Sequence, residues 1–308
     1  MMSVTNKLSG SAGDKLRKKS LSTLFSLFRI VFLIIVGYIV LYPLLYMITN
    51  SLKTESDFLD VSHMWVPLQL TLDNFKMYFE LSDIGLITGL KQTMILQMVS
   101  AFLEIIVCAF VAYGFARFNF PGKPVASFLL ILSLLVPVQM YSMSLSVNYR
   151  FLHIFNTPFA YWLPALFGVG IRSGMLIYIY QQFFIGLPRE LEDAAYVDGA
   201  GPLRTYFSIA LPSSSVVIVT VSVLSIIWHW NESYLAELCF LDDSRPMAVV
   251  LSQLGTRLNM YASLNSGEPL YPAAVSAGVL LYLVVPLVFY MIIQRRFVKS
   301  IDRVGITG

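Results

Sequence analysis

The chain has 308 residues; 57% are apolar and only 13% are charged. Soluble domains carry about 25% charged residues, so there is too little charge here to cover a soluble surface, and disorder needs the opposite balance. A net charge of +3 gives no argument for nucleic acid, and two cysteines, Cys108 and Cys239, make neither a disulfide framework nor a four-cysteine metal site.

A helix needs about 20 apolar residues to cross a bilayer. No charge interrupts 30–52, 124–149, 205–231 or 269–294; 92–116 is broken only by Glu104, and 151–188 only by Arg172. The runs are continuous and rich in Leu, Ile, Val and Phe, whereas a membrane β-barrel shows short alternating segments. The expected fold is all-α and polytopic: a basic N-terminus over 1–25, then six spans at 26–49, 90–116, 124–147, 158–183, 211–235 and 272–294, then a tail over 295–308.

Lys15, Arg17, Lys18 and Lys19 before an apolar run also describe a signal peptide. The run exceeds a signal's about 7–15 residues and ends Thr49-Asn50-Ser51-Leu52-Lys53 without a small-residue cleavage site, so a retained first helix is expected. With the N-terminus inside, fourteen of the 21 Lys and Arg fall in inside segments. That bias places both termini in the cytoplasm of a multi-pass protein. Two long outside loops, about 50–89 and 236–271, mix Trp, Tyr, Pro and charge. They read either as an interfacial aromatic belt or as a docking surface for an external partner.

The inside loop at 184–210 carries the sharpest local pattern. Pro188 suits the first turn of a helix, and Glu190, Glu192 and Asp193 complement its N-terminal dipole. Gly199 fits a left-handed stop, Pro202 opens a second short helix, and Pro212 marks its end. Ala194 and Ala195 present almost no side chain. Such a face can seat in another protein's groove, or it belongs to a plain solvated helix.

This loop resembles the EAA motif of ABC importer permeases: Asp193-Ala194-Ala195, then Gly199, then Ile209-Ala210-Leu211-Pro212. Aspartate replaces the motif's glutamate at 193, and Glu192 stands beside it. Further stretches resemble the maltose-type sugar permeases: Ser51-Leu52-Lys53-Thr54-Glu55, Trp65-Val66-Pro67, Thr71-Leu72-Asp73-Asn74-Phe75, Ala112-Tyr113-Gly114-Phe115-Ala116-Arg117-Phe118, Trp230-Asn231-Glu232 and Gln294-Arg295-Arg296-Phe297-Val298-Lys299. The resemblance implies a type I importer permease fold in the bacterial cytoplasmic membrane. It implies a heterodimer with a second permease, two ABC ATPase subunits on the cytoplasmic side, an external sugar-binding protein and a carbohydrate substrate. It makes Glu192, Asp193, Ala194, Ala195, Gly199, Ile209, Leu211 and Pro212 the ATPase-coupling residues.

No G-x-x-x-x-G-K-[ST] loop occurs, so ATP and its magnesium are expected in the partner ATPase, with no cofactor in this chain. His63, His153 and His229 show no metal spacing, and no catalytic residue is assigned. Gln97, Ser100, Glu104 and Cys108 fall on one helical face. Glu104 lies about 20 Å above the inner edge at 1.5 Å per residue. That face either lines a cavity or packs helix on helix. Arg172, between Gly170 and Gly174, has three readings: pairing with Glu104, contacting substrate, or snorkelling outward. Gln139, Tyr141, Ser142, Ser144 and Asn148 give the third span a polar outer half. Of these, Gln139, Tyr141, Ser142 and Asn148 join Gln97, Ser100, Glu104, Arg172 and Asn231 as the candidate substrate path. The rival reading is an ion-coupled secondary transporter built on Glu104 and Arg172, which would show two related halves.

Overall fold

The computed structural model describes residues 5–81, 86–241, 245–265 and 272–305. Two units are distinguished, Met1–Leu72 and Asp73–Gly308.

The first unit is one long helix and a folded loop. α1 runs from Thr5 to Ser51. It begins well before the expected residue 26, because Lys and Arg are good helix formers and continue the apolar segment. From Leu21 to Ser51 it is apolar, with none of its most apolar stretch buried in the chain. Lipid or other helices must cover that surface. After α1, Lys53 bridges to Leu70 and donates from Nζ to the Met64 carbonyl at 2.9 Å. Thr54 caps the short helix α2, Glu55–Leu59. Asp57 accepts from the backbone N–H groups of Leu68 (2.6 Å) and Gln69 (3.0 Å). Trp65 packs edge-on against Tyr42 with ring centroids 5.0 Å apart, which seats the loop on the end of α1.

In the second unit, α3 (Asp73–Leu81) is followed by α4 (Leu86–Thr93), a π-helical turn at Met94–Met98, and α5 (Val99–Arg117). The last three form one membrane-length helix, Thr88–Arg117. α5 buries Ser100, Ala101, Ala109, Ala112 and Ala116. In lipid the hydrophobic effect does not pull helices together, and small residues let backbones approach for dispersion contacts. α5 accordingly packs on α8 (Phe159–Leu166), α9 (Ser173–Gly186) and α13 (Ser215–Trp230).

Two expected spans are broken. The run 124–147 divides into α6 (Lys123–Leu135), a 3-10 turn at Val138–Met140 and α7 (Ser142–Phe151). Pro137 causes the break: it lacks an N–H and drives Val136 to an extended φ −82°, ψ 110°. The run 158–183 divides into α8 and α9, with Gly168 (φ 67°) and Arg172 (φ 56°) in left-handed conformation between them.

The fifth run bends as well. α10 (Glu190–Val197) precedes α11 (Pro202–Thr205), a π-helical turn at Tyr206–Ala210 and α12 (Leu211–Ser213), and the piece Pro202–Ser213 meets α13 at 78°. α14 (Tyr234–Cys239) begins at the end of the expected fifth span, and α15 (Met247–Asn265) lies within the expected outside loop 236–271. α16 runs from Pro272 to Gly305, through the tail expected beyond residue 294. Among the described residues, three helices are long and apolar enough to cross a membrane, Leu21–Ser51, Thr88–Arg117 and Pro272–Arg295, and a fourth if the bent pair counts as one.

α16 packs on α3, α13 and α15. Trp230 and Tyr282 stack with centroids 5.0 Å apart, and the Tyr282 hydroxyl donates to the Trp230 carbonyl. At Gly278 a Cβ would lie 2.6 Å from the Tyr78 ring, so only glycine fits there without repacking.

Candidate functional site

The loop between α9 and α13 is built by local rules. Arg189 is the N-cap of α10, so Pro188 lies just outside the first turn it was expected to open. Glu190, Glu192 and Asp193 occupy that first turn, at the positive end of the helix dipole. At the other end Gly199 adopts φ 81°. The Gly199 N–H donates to the Tyr196 carbonyl at 3.0 Å, and the Ala200 N–H to the Ala195 carbonyl at 2.9 Å. These two bonds make a Schellman cap. A Cβ at Gly199 would meet nothing within 4 Å, so backbone conformation rather than space reserves the position for glycine. Gly201 then caps α11, and Pro202 takes its first position.

The motif residues divide between two faces. Asp193 and Ala194 are exposed, Ala195 is half-buried, and Val197 is 88% exposed. Leu191 and Tyr196 are also exposed, which makes the outer face of α10 largely apolar. Ile209 and Leu211 are half-buried and Pro212 is exposed. Glu192, expected on sequence among the ATPase-coupling residues, points inward. It is 4% exposed, and its Oε1 accepts from Arg117 Nε at 2.8 Å. One residue along a helix turns about 100°, so Glu192 and Asp193 face different ways.

A second polar group lies inside the helices. Glu104, Ser225 and His229 are each 0–1% exposed, and Ser173 is 2% exposed. Ser173 donates its hydroxyl to Glu104 Oε1. Ser225 Oγ lies 3.3 Å from Glu104 Oε2, and His229 Nδ1 lies 3.7 Å from the same oxygen. His229 Nδ1 also sits 2.9 Å from the Ser225 carbonyl, which can only accept, so Nδ1 carries a hydrogen. Gln97 donates to the Glu232 carbonyl at 2.8 Å, Ser100 to the Leu96 carbonyl at 2.7 Å, and Cys108 approaches the Ser173 carbonyl at 3.8 Å. All four residues of the face Gln97–Ser100–Glu104–Cys108 are fully buried within the chain, against its own helices. Arg172 is not among the groups bonded to Glu104; its guanidinium stands over the Trp228 ring, 4.9 Å from the centroid.

The polar outer half of the third run is presented differently. Gln139, Tyr141, Ser144 and Asn148 are exposed, whereas Ser142 is buried and 3.1 Å from the Tyr234 hydroxyl. Asn231 is exposed and donates to the Ile227 carbonyl at 2.9 Å. Sequence reasoning did not single out Ser173 or Ser225, and it left His229 as a lone histidine. The i, i+4 spacing of Ser225 and His229 on α13 was the available signal.

Comparison with known proteins places this architecture. Residues 104–303 match the family described as binding-protein-dependent transport system inner membrane component. An osmoprotective-compound uptake permease of Synechocystis is 28% identical over 272 residues, covering 86% of this chain and 87% of that one. A polygalacturonan/rhamnogalacturonan transport system permease of Bacillus subtilis is 28% identical over 287 residues, covering 90% and 96%. The fold is that of a chain in the crystal structure of a bacterial ABC transporter involved in import of the acidic polysaccharide alginate: TM-score 0.74 at 18% identity, over 89% of this chain and 97% of that one. The chain belongs to this family of inner-membrane transport components.

Proposed function

We propose that this family member is the permease subunit of a bacterial ABC importer that takes up a sugar or oligosaccharide handed over by an external binding protein. The observation that carries the reading is the loop. Asp193, Ala194 and Ala195 lie on an exposed helix, Gly199 closes it in left-handed conformation, and Ile209–Pro212 follow at the motif's spacing. An apolar, small-residue face at the end of a helical bundle is suited to seating in a groove of a separate ATPase. That ATPase would hold ATP and magnesium.

Carbohydrate as the cargo is supported by the Bacillus relative, a polygalacturonan/rhamnogalacturonan transport system permease. The Synechocystis relative is an uptake permease for osmoprotective compounds. The six crossings are made up of α1, α4–α5 and α16 together with the broken pairs α6–α7 and α8–α9 and the bent run into α13. The Lys and Arg bias puts both termini and α10 in the cytoplasm. The exposed apolar flank of α1 suits a second permease subunit. The exposed polar positions Gln139, Tyr141, Asn148 and Asn231 offer amide and hydroxyl partners for a sugar. Transport proceeds by alternating access: closure of the ATPase pair displaces α10, and the helices rock about the buried core.

The test is assembly. Affinity-tagged at its C-terminus and expressed from its native gene neighbourhood, the chain should co-purify with a second permease and an ATPase. A stable homodimer that moves solute in liposomes without ATP would replace this reading with a secondary transporter.

A further inference from the structure

Arg117 is the last residue of α5 and is almost wholly buried, at 6% side-chain exposure against 5% for its partner Glu192. Its Nε donates to Glu192 Oε1 at 2.8 Å, and its Nη2 donates to the Leu187 carbonyl at 2.8 Å. Leu187 is the C-cap of α9. The other carboxylate oxygen of Glu192 accepts from the Tyr113 hydroxyl at 3.3 Å, one turn earlier on α5. The Tyr113 ring in turn packs on Phe184 of α9 (5.5 Å) and on Tyr206 of the π-helical turn (5.0 Å). One carboxylate on α10 is therefore held at two points by α5, and the same arginine holds the end of α9.

Along the chain α10 is joined to α9 and α11, whereas Arg117 and Glu192 are 75 residues apart. A buried ion pair is poor evidence of stabilisation, because apolar side chains of similar volume often serve as well or better. Its distinctive property is direction: a planar, doubly bonded arginine fixes orientation as well as distance. We propose that Arg117 and Glu192 form a strut that makes α10 and the end of α5 move as one body, so that displacement of the loop is delivered to α5 as well as to α13. This rests on the importer reading above. Arg117 and Glu192 are then positioning residues, acting through α5.

The experiment uses the assembled complex with its ATPase. Spin labels at Asn119→Cys, just beyond α5, and Glu190→Cys, on α10, report the strut; both native cysteines are buried and out of the label's reach. A second pair, Glu190→Cys with Val125→Cys on α6, reports motion of the loop against another helix. Between nucleotide-free and ATP-bound complexes the first distance should keep its centre while the second shifts. In Arg117→Leu/Glu192→Leu, which removes both charges of the pair and strands neither, the complex should still assemble but the first distance should change with nucleotide. ATP-driven uptake by that variant should fall about five-fold or more, the low end of coupling between distant sites. A nucleotide-dependent first distance in the wild type would overturn the strut, and so would an unchanged one in the double variant. Failure of any ATPase to co-purify would instead overturn the importer reading, leaving the two outcomes distinct.

Discussion

Glu104 of α5 and His229 of α13 face each other 3.7 Å apart, with Ser225 between them at 3.3 Å from the carboxylate and 3.4 Å from the ring nitrogen. Ser173 of α9 closes the group from the other side. Three helices thus meet at one buried polar point, and Gly170 leaves room for it: a Cβ there would lie 2.8 Å from Glu104 Oε1.

Removing the carboxylate should therefore loosen the bundle. Glu104→Leu strands the buried Ser173 hydroxyl, at about 1–3 kcal/mol, and leaves Ser225 with the Ala101 carbonyl at 3.5 Å as its remaining acceptor. Glu104→Gln keeps one oxygen acceptor and should lose less. Thermal unfolding of the detergent-solubilised complex should rank wild type above Glu104→Gln and Glu104→Leu last, with uptake following the same order. Equal stability and uptake for wild type and Glu104→Leu would show that the cluster is incidental.

Gly278 makes a second prediction. Its missing side chain admits the Tyr78 ring, whose hydroxyl is already engaged with Met247 Sδ at 3.5 Å. Gly278→Ala should cost about 1–3 kcal/mol by overpacking. The loss should shrink in a Tyr78→Leu background, because the two changes share one contact. Additive losses in the double-mutant cycle would place the strain elsewhere.

At Gly199 the obstacle is the backbone. Gly199→Val forces a β-branched residue into left-handed conformation, at about 1–2 kcal/mol, and the Schellman cap should open. Gly199→Asn, which tolerates that region better, should retain more function. The readout is ATP-driven uptake at matched complex yield. Equal uptake by Gly199→Val and wild type would mean that α10 needs no fixed end.

The parts of this site that were legible in the sequence are the parts set by local chemistry. Gly199 announces its left-handed stop because few other residues tolerate it, and Pro202 announces a first turn because its missing N–H costs nothing there. Charge-free length was a poorer guide. It hid the break at Val136–Pro137, although the proline itself was in view, and it merged α8 with α9 across Gly168. Composition also concealed α15, since the apolar start of that helix is diluted by the polar residues after Thr256. The inward turn of Glu192 was beyond reach for a different reason. Its direction is set by Arg117, a residue on another helix, and no spacing within 184–210 encodes that partner. The same holds for Glu104, whose neighbours Ser173 and Ser225 come from two other helices.

The central claim is that the exposed face of α10 is where a separate ATPase drives this permease, and Ala194→Arg tests it most directly. Ala194 is exposed in the chain, so the arginine disturbs no internal packing and obstructs only an external groove. In proteoliposomes holding the complete complex, the wild type should accumulate oligosaccharide only with internal ATP and external binding protein. Ala194→Arg should abolish that uptake while this chain stays folded and membrane-inserted. Wild-type uptake by Ala194→Arg, or uptake by either protein without ATP, would contradict the account.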